Sequence, residues 1–177
     1  MSYIITRYFM MMTRRARNVD SDHKIYLQRA KNELNLSLMI MKISNDKDLQ
    51  LSVFGMQADT YYSATISHAY YCIFYASKAY LLTKGIKTEA PEEHKKTFDE
   101  FSKLVDKGTV DVELLKIYRN ILIKADTLLH IFELEKGKRG RFTYRRIPQA
   151  NQEPAQESIK NAQFFFKNIF ELCEKLT

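Results

Sequence analysis

The densest chemistry in this chain lies between Lys136 and Arg146. Six cations (Lys136, Lys138, Arg139, Arg141, Arg145 and Arg146) stand there with no acid, interleaved with Phe142 and Tyr144. Cations of this kind contact phosphates, and aromatic rings stack on unpaired bases. Gly137 and Gly140 let the backbone turn sharply between them. The pattern predicts a nucleic-acid-binding loop, with RNA or a nucleotide as partner. Two other readings stay open: a solvated loop or short hairpin whose aromatics pack on the body, and a surface for an acidic protein. The GKRG stretch lacks the spacing of a phosphate-binding loop.

The remaining candidates for chemistry are scattered. His23, His68, His94 and His130 occur singly, without HxxxH or CxxC spacing and without a paired carboxylate; neither a metal centre nor a cofactor is expected. His68 falls on a mostly apolar segment and reads as a hydrogen-bonded core or interface histidine. His94, in the first turn of a helix, reads as capping or packing. Cys72 and Cys173 each sit inside an apolar helical pattern and read as small buried hydrophobes. Two cysteines make no disulfide framework, which suits a reducing cytoplasm.

Charge is unevenly placed. The net value is +7, yet residues 1–17 carry +4 (Arg7, Arg14, Arg15, Arg17) and residues 136–146 carry +6, leaving −3 for the body. Such segregation favours a phosphate-bearing or acidic partner over uniform basicity. No apolar run reaches the ~18 residues that span a membrane. The opening stretch MSYIITRYFMMMTRRAR places its charges after the apolar piece, the reverse of a signal peptide. It reads as a basic extension over residues 1–19, or as an over-called start, since Met10, Met11 and Met12 can each begin a chain.

Five helices must position these groups. The first opens near Ser21 or Asp22 and runs to Ile43, with Leu27, Ala30, Leu34, Leu38 and Met41 inward; a polar stretch, Ser44 to Asp48, follows. The second, Ala58 to Thr83, is apolar on more than one face: Tyr62, Ile66, Ala69, Ile73, Ala76 and Tyr80 make one stripe and Tyr70, Phe74, Ser77 and Leu81 another. Such a helix must be wrapped by others, and Gly85 lies just past its end. The third starts at Pro91 and buries Phe98, Phe101 and Val105 up to Gly108. The fourth spans Val110 to Glu135 with Leu114, Tyr118, Ile121, Ala125, Leu128 and Phe132 inward. The fifth starts near Pro154, with Ala155, Ile159, Ala162, Phe166, Ile169, Cys173 and Leu176 as its stripe. The fold class is all-α: an up-and-down bundle of about five helices in one domain over residues 20–177, with the basic loop before the last helix.

This order of features resembles the HEPN superfamily. The segments that carry the resemblance are YLQRAKNELNLSLMIM, SHAYYCIFYASKAYLLTKG, EEHKKTFDEF, YRNILIKAD and ESIKNAQFFFKNI. The resemblance implies a helical bundle that commonly forms homodimers. Many members are RNA-cleaving toxins or parts of toxin–antitoxin and defence systems; others are inactive and bind nucleotides or partner proteins, including nucleotidyltransferase-like proteins. Active members carry Arg-Asn-x-x-x-His near the dimer seam. Here Arg119 and Asn120 match, and Lys124 stands in place of the histidine. The resemblance thus makes Arg119, Asn120 and Lys124 the candidate catalytic residues. Metal-independent RNA cleavage needs a base for the 2′-hydroxyl and a cation for the phosphate. Lysine serves the second need and serves the first poorly at neutral pH, so weakened or lost cleavage is expected, with a diverged endoribonuclease or a pure protein-binding module as alternatives. His68 and His130 are the histidines available to replace the missing base.

Overall fold

The structure, a computed structural model, describes residues 2–56, 59–137 and 152–176, with side chains described over 22–56, 59–126 and 152–176. The described residues form six helices: α1 (Ser2–Asn45), α2 (Lys47–Phe54), α3 (Tyr62–Thr83), α4 (Glu93–Asp106), α5 (Val112–Gly137) and α6 (Gln152–Glu174). The all-α bundle expected from periodicity is what the chain forms, with one helix more and several ends moved.

The first helix does not open at Ser21 or Asp22. It is continuous from Ser2, because no glycine or proline occurs before Gly55 to interrupt it. The polar stretch after it holds the extra helix. Asp46 caps α2 by accepting the Leu49 N–H at 2.9 Å, and Gly55, at φ 61°, closes it in the left-handed conformation.

The next helix starts at Tyr62 rather than Ala58, which itself lies outside the described residues. The buried Gln50 ties Asp59, just ahead of this helix, to the end of α1. Its amide donates to the Ile43 carbonyl (2.7 Å) and the Asp59 carbonyl (2.9 Å) and accepts from the Asp59 N–H (2.8 Å). Ser44 Oγ accepts the Tyr61 N–H at 2.8 Å, and the Tyr62 hydroxyl donates to Asn45 at 2.7 Å. These five hydrogen bonds fix the entry to α3.

The α4 helix begins at Glu93, not at Pro91. Glu92 has φ 60°, a conformation outside the right-handed helix, so helical winding starts only after it. Lys78 of α3 holds this entry: its buried ammonium donates to the Thr88 carbonyl (3.1 Å) and to Glu93, and lies 4.7 Å from the Tyr26 ring centroid.

The α3 helix is central, as its two apolar stripes require. Fifteen of its 22 residues are buried, and it packs against α1, α4, α5 and α6. Phe101, Tyr118 and Phe165 form one ring cluster, with centroids 5.5 to 6.0 Å apart, that joins α4, α5 and α6. Two inward positions differ from the expected stripes. Ser37, not Leu38, faces the core of α1, donating to the Thr65 carbonyl at 2.9 Å. Phe165, not Phe166, is fully buried in α6, and Leu176 falls beyond that helix, half exposed. In both helices the buried residue keeps the 3–4 spacing with its neighbours (34, 37, 41; 162, 165, 169).

Candidate functional site

Tyr118 anchors α5 in the ring cluster with no surface left exposed. That register turns the next two residues, Arg119 and Asn120, outward to solvent. Neither makes a hydrogen bond or ion pair among the described residues. Lys124 is half-buried and its Nζ donates to Glu157 Oε2 of α6 at 2.8 Å. The helix is unbroken from Arg119 to Lys124, and five residues at ~100° each put the two cations about 140° apart around the axis. Asn120 and Lys124, four apart, share a face. Arg119 is thus left available to an incoming anion, whereas Lys124 already has one.

The basic loop reaches the described region only at its edge. Lys136 lies in the last turn of α5, with its side chain outside the described residues. Lys138, Arg139, Arg141, Phe142, Tyr144, Arg145 and Arg146 lie outside the described residues altogether, as does the side chain of His130.

The other histidines have definite surroundings. His23 is buried on α1. His94, on the first turn of α4, lies flat on Phe74 (centroids 4.0 Å apart, 16° between planes), with Nδ1 2.7 Å from the Tyr70 hydroxyl. Burial lowers its pKa, Lys78 adds to that, and Glu93 opposes it. Burial, with Asp126 and Tyr71 nearby, pushes the Tyr70 phenol far up. Tyr70 and His94 therefore meet as two neutral groups. Cys72 and Cys173 are buried; burial pushes the Cys72 thiol well up and that of Cys173 to about 12, so neither is a ready nucleophile.

His68 is not buried in the core. It stands at the seam of α3 and α1, with Nδ1 2.6 Å from Glu33 Oε2, the two side chains 30% and 26% exposed. Along the same seam the Arg29 guanidinium lies over the rings of Tyr26 (5.6 Å) and Tyr75 (5.8 Å). Tyr75 stacks on Tyr26 at 6.0 Å and on Tyr71 at 6.2 Å. Tyr71 is 38% exposed. The Tyr75 phenol is raised by burial; Arg29 opposes this, while Glu33 is among the acids that add to it. One surface strip thus presents an imidazole–carboxylate pair, a guanidinium and stacked phenols. Neither Glu33 nor Arg29 was legible as a site residue, because no spacing rule links Glu33 to a histidine 35 positions away. Glu157 was missed for the same reason.

No group of three or more His, Cys, Asp or Glu among the described residues is placed to hold a metal ion, and no described helix is long and apolar enough to cross a membrane. In comparison with known proteins, the family model of the HEPN domain matches residues 46–175. No curated protein and no solved structure matches the chain.

Proposed function

The chain belongs to the HEPN domain family, and on that premise we propose that it is an RNA-binding helical protein of a toxin–antitoxin or defence setting whose family-type cleavage centre is weakened or lost. The observation that carries this reading lies on α5. Arg119 is exposed and free among the described residues to meet a phosphate, while Lys124, at the motif's histidine position, is paired with Glu157. A paired ammonium neither takes a proton from a 2′-hydroxyl nor reaches a phosphate without first breaking that pair. The basic segments at 1–19 and 136–146 are the natural RNA contacts beside the 20–177 bundle, and the protein works as a cytoplasmic homodimer. Binding of a labelled mixed RNA pool, titrated at rising salt, tests the reading. A salt-weakened affinity, reduced further in Arg139→Ala, Arg141→Ala and Arg145→Ala, supports it. Salt-insensitive binding, or none, overturns it.

A second reading has its own observation. The α2 helix and the residues just after it expose Leu51, Val53, Phe54 and Met56, between 44% and 68% each. That apolar surface suits a protein-interaction module, with a nucleotidyltransferase-like protein as partner. Pull-down of such a partner, lost on Phe54→Asp, would favour it.

A further inference from the structure

From the α1–α3 seam we infer a second reactive centre: Glu33 and His68 form an acid–base dyad, Arg29 is its phosphate anchor, and the substrate is single-stranded RNA. The inference rests on the RNA reading above and places the chemistry away from Arg119 and Lys124.

The geometry of the pair is the first ground. Glu33 Oε2 holds His68 Nδ1 at 2.6 Å, which fixes that nitrogen as the proton-bearing one in the neutral ring and leaves the lone pair on Nε2. Nε2 has no partner among the described residues, and the ring is 30% exposed. A histidine serving only to tie two helices would gain by covering its second nitrogen; this one keeps it open to solvent.

The surroundings are the second ground. Arg29 forms no ion pair among the described residues, and its guanidinium is held over two phenol rings. Stacking fixes a guanidinium in place while leaving its N–H groups to an outside anion. Tyr71 lies three residues after His68 on α3 and is partly exposed, continuing the stack from Tyr75. An unpaired base has a ring to lie on, its phosphate has Arg29, and its 2′-hydroxyl has Nε2.

The step balances without a metal. Nε2 takes the 2′-hydroxyl proton; O2′ bonds to phosphorus; the P–O5′ bond breaks, and its electron pair leaves on O5′, which is protonated by water. The imidazolium returns its proton to the hydroxide so formed. The products are a 2′,3′-cyclic phosphate and a free 5′-hydroxyl.

The test uses the full-length protein in chelator with an unstructured, end-labelled oligoribonucleotide, reading binding by anisotropy and cleavage by product ends. His68→Gln, Glu33→Gln and Arg119→Ala run in parallel, each checked for folding by circular dichroism. Expected is slow cleavage giving cyclic phosphate ends, lowered about 10²-fold by His68→Gln with binding retained. Glu33→Gln, which keeps the imidazole and most of the contact, lowers it less. An oligonucleotide bearing 2′-deoxyribose is bound and left intact. RNA bound but uncut by the wild type overturns the dyad and leaves the RNA reading standing. Equal cleavage by a folded His68→Gln, or by a folded Glu33→Gln should the first variant not fold, also overturns it. Failure of the wild type to bind RNA removes both.

Discussion

The Tyr70 hydroxyl and His94 Nδ1, 2.7 Å apart, tie the middle of α3 to the first turn of α4. Burial holds the His94 pKa below the ordinary histidine value. Below pH ~6.5 the unfolded chain binds a proton that the folded chain resists, so ν_U exceeds ν_N and stability rises with pH. Stability from this site is present above the unfolded pKa and is lost as pH falls through the folded one. Urea midpoints measured between pH 7 and pH 5 should fall with pH, and His94→Gln should flatten that fall. An unchanged slope in the variant would place the pH dependence elsewhere.

Gln50 is fully buried and makes three hydrogen bonds to backbone, bridging Ile43 and Asp59. Gln50→Ala removes the amide and leaves two carbonyls and one N–H short of partners. The expected loss is about 2–3 kcal/mol, since orphaned buried groups cost more than the bond itself gave. Chemical denaturation reads it as a lowered midpoint at constant slope. A loss within the ordinary range of a surface substitution would mean that water replaces the amide there.

Lys78 is a buried cation neutralised by Glu93 and seated against the Tyr26 ring. Glu93→Ala leaves that charge with one carbonyl and two rings for company, and costs about 2 kcal/mol. Lys78→Met fills the same space without charge and should cost less than Glu93→Ala, because a half-exposed carboxylate left alone turns to water. The reverse order in thermal midpoints would show that the ammonium, not its counter-ion, holds the turn before α4.

Much of this fold was legible from the residues, because helical periodicity is local. The stripe from Tyr62 to Tyr80 is buried at every position read from its 4–3 spacing. Helix ends were harder, because they are set by contacts across the chain. The start of α3 depends on Gln50, nine residues before Asp59, and the start of α4 on Lys78, fifteen before Glu93. The same physics limits the site. Arg119 and Lys124 are visible as a pattern, yet the partner that occupies Lys124 sits on another helix, 33 residues on. His68 reads from its own helix as a core or interface histidine, and only its meeting with Glu33 of α1 places it at the α1–α3 seam.

Lys124→His restores the family's Arg-Asn-x-x-x-His spacing at residues 119–124. If the lysine is what weakens the family-type centre, the variant should cleave RNA at least about tenfold faster than the wild type in chelator, in a reaction lost on adding Arg119→Ala. Glu157→Gln in the wild-type background should free Lys124 and tighten RNA binding by a few tenths of a kcal/mol, since an exposed pair of this kind contributes little. Faster cleavage without dependence on Arg119 would separate the gain from the motif. No gain in a folded Lys124→His would show that the centre lacks more than its histidine, and would leave the α1–α3 seam as the remaining place for chemistry.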